Sequence, residues 1–599
     1  MFLIFLCNEV LAQTKPDSST VHVEEIVITG GRTASRYSET ARSLSIISSE
    51  QLKQLPVRSI NEALEYVAGV DVRPRGPAGV QADISIRGES FENVLVLIDG
   101  IRVNDPQTGH HNLNIPLPME EVERIEVLRG PAARIHGQNA FSGVINIITK
   151  KPGEAGVSVR SAAGDFNYTH HQITVSAPIK NYRQAFSLQR TASKGHRHNT
   201  DFGISNFYYR AAVGDEEKRL DLSAGHSGRE FGANAFYAEA FPDQWEAVNT
   251  TFVRVSSQHN GSWLIKPNLY WRRNTDEFLL RRHSPSFYRN YHVTDVFGGD
   301  INASRQWEAG TSSIGAELRR EQINSTNLGN RHRYNAGIFA EHRFLFWQRL
   351  NVTPGLFAGW YSDYDVRFYP GIDLSYLFRP HISVYATVNK AYRVPTYTEL
   401  YYNDPANLAN PALKPEEAWS FEAGLRITKH LIDVTASVFH KQGYDIIDWV
   451  RSSPAQPWQV LNYNQLATGG AEIMLALYPV RNNDRVIIEQ LGLQYVALNS
   501  SVKLQDLQSK YALDYMRHQA IVRLLHKLPF GAKASWAARY EDRVGYSAYY
   551  LVDMRLMRRW QNCNFFVEAS NIFNQQYFEI SNVTMPGRWV SGGLTWAIQ

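Results

Sequence analysis

The side chains in this sequence best suited to hold a metal are the neighbours His110 and His111 and the pair His196 and His198. Adjacent residues of an extended segment point to opposite faces, so His110 and His111 cannot share an ion there, whereas residues two apart can. Neither pair has a third ligand in view, and both read as polar loops, so no metal site is assigned. Glu89 and Glu92, in the run Glu-Ser-Phe-Glu, could divide acid and base roles, but beside a loop they read as a solvated face. The acids at Asp215-Glu216-Glu217 read as a tight turn rather than a calcium site. No nucleophile elbow, phosphate loop or HExxH motif is present. Catalytic residues and cofactors are therefore not assigned, and the chain reads as a non-enzyme.

The elements around these residues fall into two textures. Between Glu24 and Lys151 the chain is a series of short β-type runs stopped by Gly or Pro. They are Glu24-Glu25-Ile26-Val27-Ile28-Thr29, Ile84-Ser85-Ile86-Arg87-Gly88, Val94 to Gly100, Val122 to Pro131, and Ser142 to Lys150. Ser48-Ser49-Glu50-Gln51 and Ser59-Ile60-Asn61-Glu62 each predict the start of a short helix, by cap and first-turn acid. Two Pro/Gly-rich loops separate the runs, Arg73 to Gly79 and Asn104 to Asn112. The whole reads as a small mixed α+β domain.

From about Gly156 onward apolar and polar residues alternate. Ile372, Leu374, Tyr376 and Phe378 alternate with Gly371, Asp373, Ser375 and Leu377, and a tight Arg379-Pro380 turn leads into Ile382, Val384, Ala386 and Val388. Ile432, Val434, Ala436 and Val438 repeat the pattern. Strands of this kind, joined by alternately tight and long connections over such a length, predict a transmembrane barrel, which lipid requires to be closed. Aromatic residues reach 12%, with 31 Tyr, 28 Phe and 13 Trp, enough to furnish interfacial girdles. A formal charge of +4 on 599 residues suggests no nucleic-acid partner. No apolar run is long enough for a membrane-spanning helix. Cys7 and Cys563 are the two cysteines, so no internal disulfide is expected. Residues 1–12 look like the end of a secretory signal cut after Ala12, and the missing basic start places the natural beginning of that leader upstream.

The five runs, in this order and spacing, resemble the plug domain of TonB-dependent outer-membrane transporters. Ala391-Tyr392-Arg393-Val394-Pro395-Thr396 with Asn410 to Glu416 resembles the paired mid-barrel signature of the same family. Asn571 to Tyr577 with Pro586-Gly587-Arg588 resembles its last strands. The terminus departs from the pattern, because Trp596 is followed by Ala597-Ile598-Gln599 where an aromatic end is usual.

The resemblance implies a 22-stranded barrel over 152–599, a plug over 30–151 and a periplasmic tether over 13–29. Glu24 to Thr29 would be the TonB box, an exposed edge strand that pairs with TonB. Outer-membrane lipid, a nutrient ligand and TonB are the partners implied, with a surface lipoprotein a further candidate. Arg87 and Arg129 would lock the plug to barrel carboxylates, with Glu123, Arg124 and Glu126 in the same network.

The two Pro/Gly-rich loops would face the ligand. Asn104, Gln107, His110 and Asn112 offer neutral donors and acceptors for a corrinoid such as cobalamin, whereas Arg73 and Arg75 would suit an anionic ferric siderophore. No His lies between Arg393 and Leu413, which counts against haem. A passive or adhesive barrel is the alternative outside the family, and would need no box. Val27→Pro is expected to abolish uptake and leave surface binding unchanged, because proline cannot donate to a ladder. Uptake at the normal rate in cells carrying the variant would remove the hexad from energy coupling.

Overall fold

The structure, a computed structural model, describes residues 27–28, 35–36 and 41–598 apart from 216, 238, 483–485, 503–506 and 581–582. The leader, the tether and the hexad residues Glu24, Glu25, Ile26 and Thr29 lie outside these. Val27–Ile28 pairs antiparallel with Ser35–Arg36.

The plug is built as the runs predict. Its main sheet has the order Leu44–Ser48, Val122–Arg129, Gly143–Thr149, Val94–Ile98, Ile101–Arg102. The pair Val94–Ile98 and Gly143–Thr149 is parallel, and the other neighbours are antiparallel. Val96, Ile98, Ile125, Ile145 and Ile147 are all fully buried, so the plug carries a core of its own. Asp99 and Gly100, at φ 49° and 82°, make the two-residue turn between Val94–Ile98 and Ile101–Arg102. The helix Ser49–Gln54 starts on a capping box between Ser48 and Gln51, and Ile60–Leu64 starts on the Ser59 cap.

Around the plug, 22 strands from Gly156–Gly164 to Trp589–Ile598 form a closed antiparallel barrel. The last strand returns to the first, with Val159 opposite Trp596 and Val157 opposite Ile598. The alternation in the sequence becomes an inside and an outside. Leu374, Phe378, Val384 and Val438 are exposed on the outer face, while Asp373, Ser375, Ser383 and Tyr385 are buried in the lumen. Leu269 at 68% exposure, Ile338 at 64% and Leu318 at 61% belong to the same outer face. An apolar surface that encircles the molecule is compatible with lipid and not with water.

Connections at one end are tight, as at 308–309, 380–381 and 561–562. At the other end they include 394–415, which carries the helix Tyr397–Tyr401, and 571–588. That second end is also the end of the plug's Pro/Gly-rich loops. Leu318→Arg, near the middle of Gly310–Ser325, is expected to cost about 2–4 kcal/mol of folding stability in a bilayer. Denaturant titration in lipid vesicles measures it, and a wild-type value would mean that this face does not meet hydrocarbon.

Candidate functional site

Two contacts decide what the plug can do: its grip on the barrel wall and the surface it shows to the outside. The grip is ionic. Arg87 Nη1 lies 2.6 Å from Glu422 Oε2, and its Nε 2.8 Å from Glu472 Oε1. Arg129 Nε lies 3.1 Å from Glu472 Oε2 and also donates to the Ser43 hydroxyl at 3.0 Å. Burial alone would lower the Arg87 pKa, but the two carboxylates outweigh it and drive the pKa above the ordinary guanidinium value.

Arg87 sits at φ 56°, a left-handed conformation that a non-glycine residue adopts at a cost, and Gly88 follows at φ 74°. That turn aims the guanidinium sideways out of the sheet edge into the wall. A second cluster lies beside the first. Arg42 Nε is 2.7 Å from Asp373 Oδ2 and Arg134 Nη1 is 2.5 Å from Asp373 Oδ1. Glu123 and Glu126, expected in the Arg87 network, are instead paired with Arg124 on their own strand, at 3.0 and 2.9 Å. Adjacent positions along one strand suffice to place them there. Arg42, Arg134 and the three barrel acids Asp373, Glu422 and Glu472 were not singled out from the sequence. Glu422 and Glu472 could have been found as acids at inward positions of alternating strands.

Toward the outside, the loop residues are more deeply committed than their composition suggests. Asn104 accepts from the Val96 amide and donates to the Val94 carbonyl, both at 2.8 Å, so it serves as a clamp on the central strand. Asn112 accepts from the Asp105 amide at 3.2 Å and donates to the Phe91 carbonyl at 3.3 Å. Both are buried, so neither amide is offered outward as expected. Gln107 donates to Asp276 Oδ2 at 3.3 Å. Arg73 pairs with Asp514 at 2.9 Å and Asp71 at 3.2 Å, and Arg75 with Asp83 at 3.0 Å. Arg543 and Arg73 overcome the effect of burial on Asp71 and hold its pKa at about 2.

The adjacent histidines lie in a single helical turn, Gly109–His111, and part company. His110 Nδ1 meets Asp83 at 2.5 Å, and burial lowers its pKa, so a neutral imidazole donates there. His111 Nε2 meets Asp276 at 3.3 Å. Burial would lower its pKa too, but the Asp276 carboxylate raises it to about 9, which keeps an imidazolium at neutral pH. His196 accompanies the Thr584 carbonyl and His198 the Asp243 carboxylate. Glu89 and Glu92 are not a solvated face, for both are buried. Glu89 pairs with Lys441 at 2.5 Å, and burial together with Glu399 pushes Glu92 up to about 8. The lumen wall closes over this loop, which a sequence run alone does not reveal.

The outer end of the plug is packed with rings, of which Tyr237 is exposed and Phe91 buried. Phe91 stacks on His110 with ring centroids 4.4 Å apart and meets Tyr511 edge-on at 5.1 Å. His110 leads to Tyr237 at 6.5 Å, and Tyr237 to Phe278 at 5.4 Å. Plug and barrel loops thus share one aromatic floor. Its rings come from distant stretches of chain, and none but His110 was singled out from the sequence.

Above it, the two mid-barrel motifs meet. Arg393 lies 2.8 Å from Glu399 and 2.7 Å from Glu416, and Glu399 closes a capping box with Thr396. The amides of Tyr397 and Thr398 then donate to the carbonyls of Pro106 and Gln107, both at 3.0 Å, and seat the loop on the plug.

A profile of the TonB-dependent Receptor Plug Domain matches residues 36–144, and one described as TonB dependent receptor-like, beta-barrel matches residues 158–572. The chain belongs to the TonB-dependent receptor family. It is an outer-membrane β-barrel of a family of transporters and receptors, not enzymes. It is 25% identical over 497 residues to the vitamin B12 transporter BtuB of Vibrio vulnificus strain YJ016, covering 76% of this chain and 77% of that protein. BtuB of Photobacterium profundum is 22% identical over 472 residues, with 75% of each chain covered.

Among solved structures, the siderophore receptor PirA of Pseudomonas aeruginosa superposes with a TM-score of 0.75 at 16% identity, over 94% of this chain and 100% of that one. The FrpB iron transporter of Neisseria meningitidis gives 0.77 at 13% identity, over 93% and 100%. At such identities the structural matches speak for the fold alone.

Replacing Arg87 and Arg129 together by Ala leaves Glu422 and Glu472 buried with their partners gone, and opening a buried pair costs about 3–5 kcal/mol. The double variant is expected to loosen the plug and raise sensitivity to large antibiotics that the outer membrane normally excludes. Unchanged sensitivity at normal membrane levels would show that these pairs do not hold the plug shut.

Proposed function

We propose that this receptor imports a corrinoid such as cobalamin, with TonB pulling on the Glu24 to Thr29 box and the Arg87 and Arg129 pairs holding the plug until it does. The observation that carries the ligand class is the state of the two apical arginines. A ferric chelate bearing net negative charge would need uncompensated cations at the plug apex, and Arg73 and Arg75 are each already paired with a carboxylate. Breaking such pairs to receive an anion leaves the displaced carboxylates unpaired. A broad macrocycle near neutrality asks for apolar contact with polar groups at its margin. The rings of Phe91, His110, Tyr237 and Tyr511, one pair stacked and the others edge-on, supply such contact. The similarity to vitamin B12 transporters along three quarters of the chain supports the same reading.

A ferric siderophore remains the second reading, favoured by Lys510. Its ammonium lies 5.3 Å from the ring of Tyr511 and 5.6 and 5.7 Å from Trp449 and Trp458, with Asn407 Oδ1 at 3.5 Å. It is a cation at the outer rim lying against rings and an amide. Box pairing with TonB would be strand addition, in which main-chain hydrogen bonds transmit the pull.

Titration of the purified receptor in detergent with cyanocobalamin is expected to give saturable binding. Replacing Phe91 and Tyr237 together by Ala should weaken it by about 1 kcal/mol or more through lost stacking. Absence of binding to cyanocobalamin alongside tight binding of a ferric catecholate would reverse the order of the two readings.

A further inference from the structure

One strand of the barrel runs the height of the lumen beside the plug, and its inward residues change in character with depth. On Leu264–Leu279 the outermost is Phe278, which meets Tyr237 in the aromatic floor at 5.4 Å. Next come Asp276 and Arg272, which hold the apical loop of the plug. Arg272 Nη1 lies 2.7 Å from Asp105 Oδ2, and Asp276 Oδ2 lies 3.3 Å from both His111 Nε2 and Gln107 Nε2. On the neighbouring strand, Arg289–Trp307, the Thr294 hydroxyl donates to the same Asp105 oxygen at 3.1 Å.

Deeper still lie Lys266 and Asn268, with Asp300 and Asn302 from Arg289–Trp307, and both asparagines donate to Asp300 Oδ1, at 3.0 and 2.6 Å. They line a cleft of about 830 Å³ between this wall and the plug edge at Asp99–Gly100 and Ile148 to Lys151. On the other side of the plug Arg42, Arg87, Arg129 and Arg134 are pinned to Asp373, Glu422 and Glu472.

The cleft is also selective in charge. Arg219 is paired with Asp221 at 2.8 Å and Arg254 with Asp99 at 3.3 Å. Lys266 has Arg219, Arg254 and Lys151 among its charged neighbours, with Asp221 the acid nearest in effect. Like charges gathered about a polar cavity leave a net attraction for an anion.

We propose that this cleft is the inner half of the import path. It rests on the importer reading above. Ligand released from the aromatic floor descends along Leu264–Leu279 and Arg289–Trp307 when the apical loop parts from Asp276 and Arg272. The plug stays pinned to the opposite wall throughout. The cleft receives an anionic group of the passing ligand, the phosphodiester where the ligand is cobalamin. Opening on this side separates Asp105 from Arg272, His111 from Asp276 and Asp99 from Arg254. Expelling the plug whole would separate those and all four arginine contacts on the other side as well, so the pull takes the route with fewer buried pairs to break.

The test places a removable obstacle in the cleft of the full-length receptor in cells. Asn302→Cys in a Cys563→Ser background is modified through the periplasm, once with a methylthio group and once with a bulky aromatic maleimide. Each preparation is compared with the same protein before modification. Surface binding of radiolabelled cyanocobalamin is expected to persist in both. Its uptake should survive the methylthio adduct and fall to the level of a TonB-deficient strain with the bulky one. Uptake unaffected by the bulky adduct would mean that the lumen empties by another route, and would overturn the proposal.

A wild-type receptor that neither binds nor imports cyanocobalamin brings down the corrinoid reading instead, and a second readout then judges the cleft. A large impermeant maleimide added outside cells in rich medium should label Asn302→Cys when TonB is active and not when it is deleted. Equal labelling in the two strains, or none in either, overturns the proposal.

Discussion

A charge inside a barrel surrounded by lipid cannot escape to water sideways, so the buried charges of plug and lumen must find counterparts nearby, many of them across the boundary between the two. That requirement shapes more of this molecule than its hydrophobic core does. The plug presents arginines where the wall presents acids: Arg42 and Arg134 at Asp373, Arg87 and Arg129 at Glu472. Where the wall presents an arginine the plug answers with an acid, as Asp71 does for Arg543 and Asp105 for Arg272. Leaving one of these groups alone would cost more than any single apolar contact returns. The register of the plug within the barrel is therefore set by charge, and the left-handed turn at Arg87 is tolerated because it completes a pair.

The same choice suits the plug to the movement proposed for it. Its interior is apolar and continuous through Val96, Ile125 and Ile145, and that cluster extends onto the barrel wall. Its contact with the wall combines apolar packing, against residues such as Phe439, Leu498 and Tyr515, with ion pairs and hydrogen bonds that water can replace one at a time. A buried pair contributes little net stability against solvated ions, yet it resists partial opening, because each half-broken pair strands a charge. An interface of that kind stays shut at rest and yields to a directed pull. An apolar interface of the same area would resist separation throughout, since exposing its surface is unfavourable at every step.

The sequence showed the barrel and the plug because both are written in local patterns. Alternation with period two, turn residues and helix caps are properties of neighbours, and Ser48 with Gln51 or Ile382 to Val388 can be judged without knowing what lies opposite. The lock was half visible. Arg87 and Arg129 stand out beside their glycines, but Glu422 and Glu472 are two inward acids among many, and only closure of the barrel brings them to the plug. Glu123 and Glu126 show the local case, for both pair with Arg124 on the same strand, a contact between neighbours in sequence.

The ligand surface was least legible, and the reason is physical. A neutral amide on a Gly-rich loop can face a ligand or hold the loop, and both uses call for the same residue. Asn104 and Asn112 hold the loop, because a turn with few apolar contacts must satisfy its backbone from its own side chains. Once those groups are spent, the proposed recognition falls to other side chains. Here those are the rings of Phe91, Tyr237, Phe278 and Tyr511, contributed by the plug, two barrel loops and the end of a strand. A surface assembled from four separate stretches has no signature in any one of them. It exists only at the tertiary level, which is why a close match of plug framework can persist while the ligand changes.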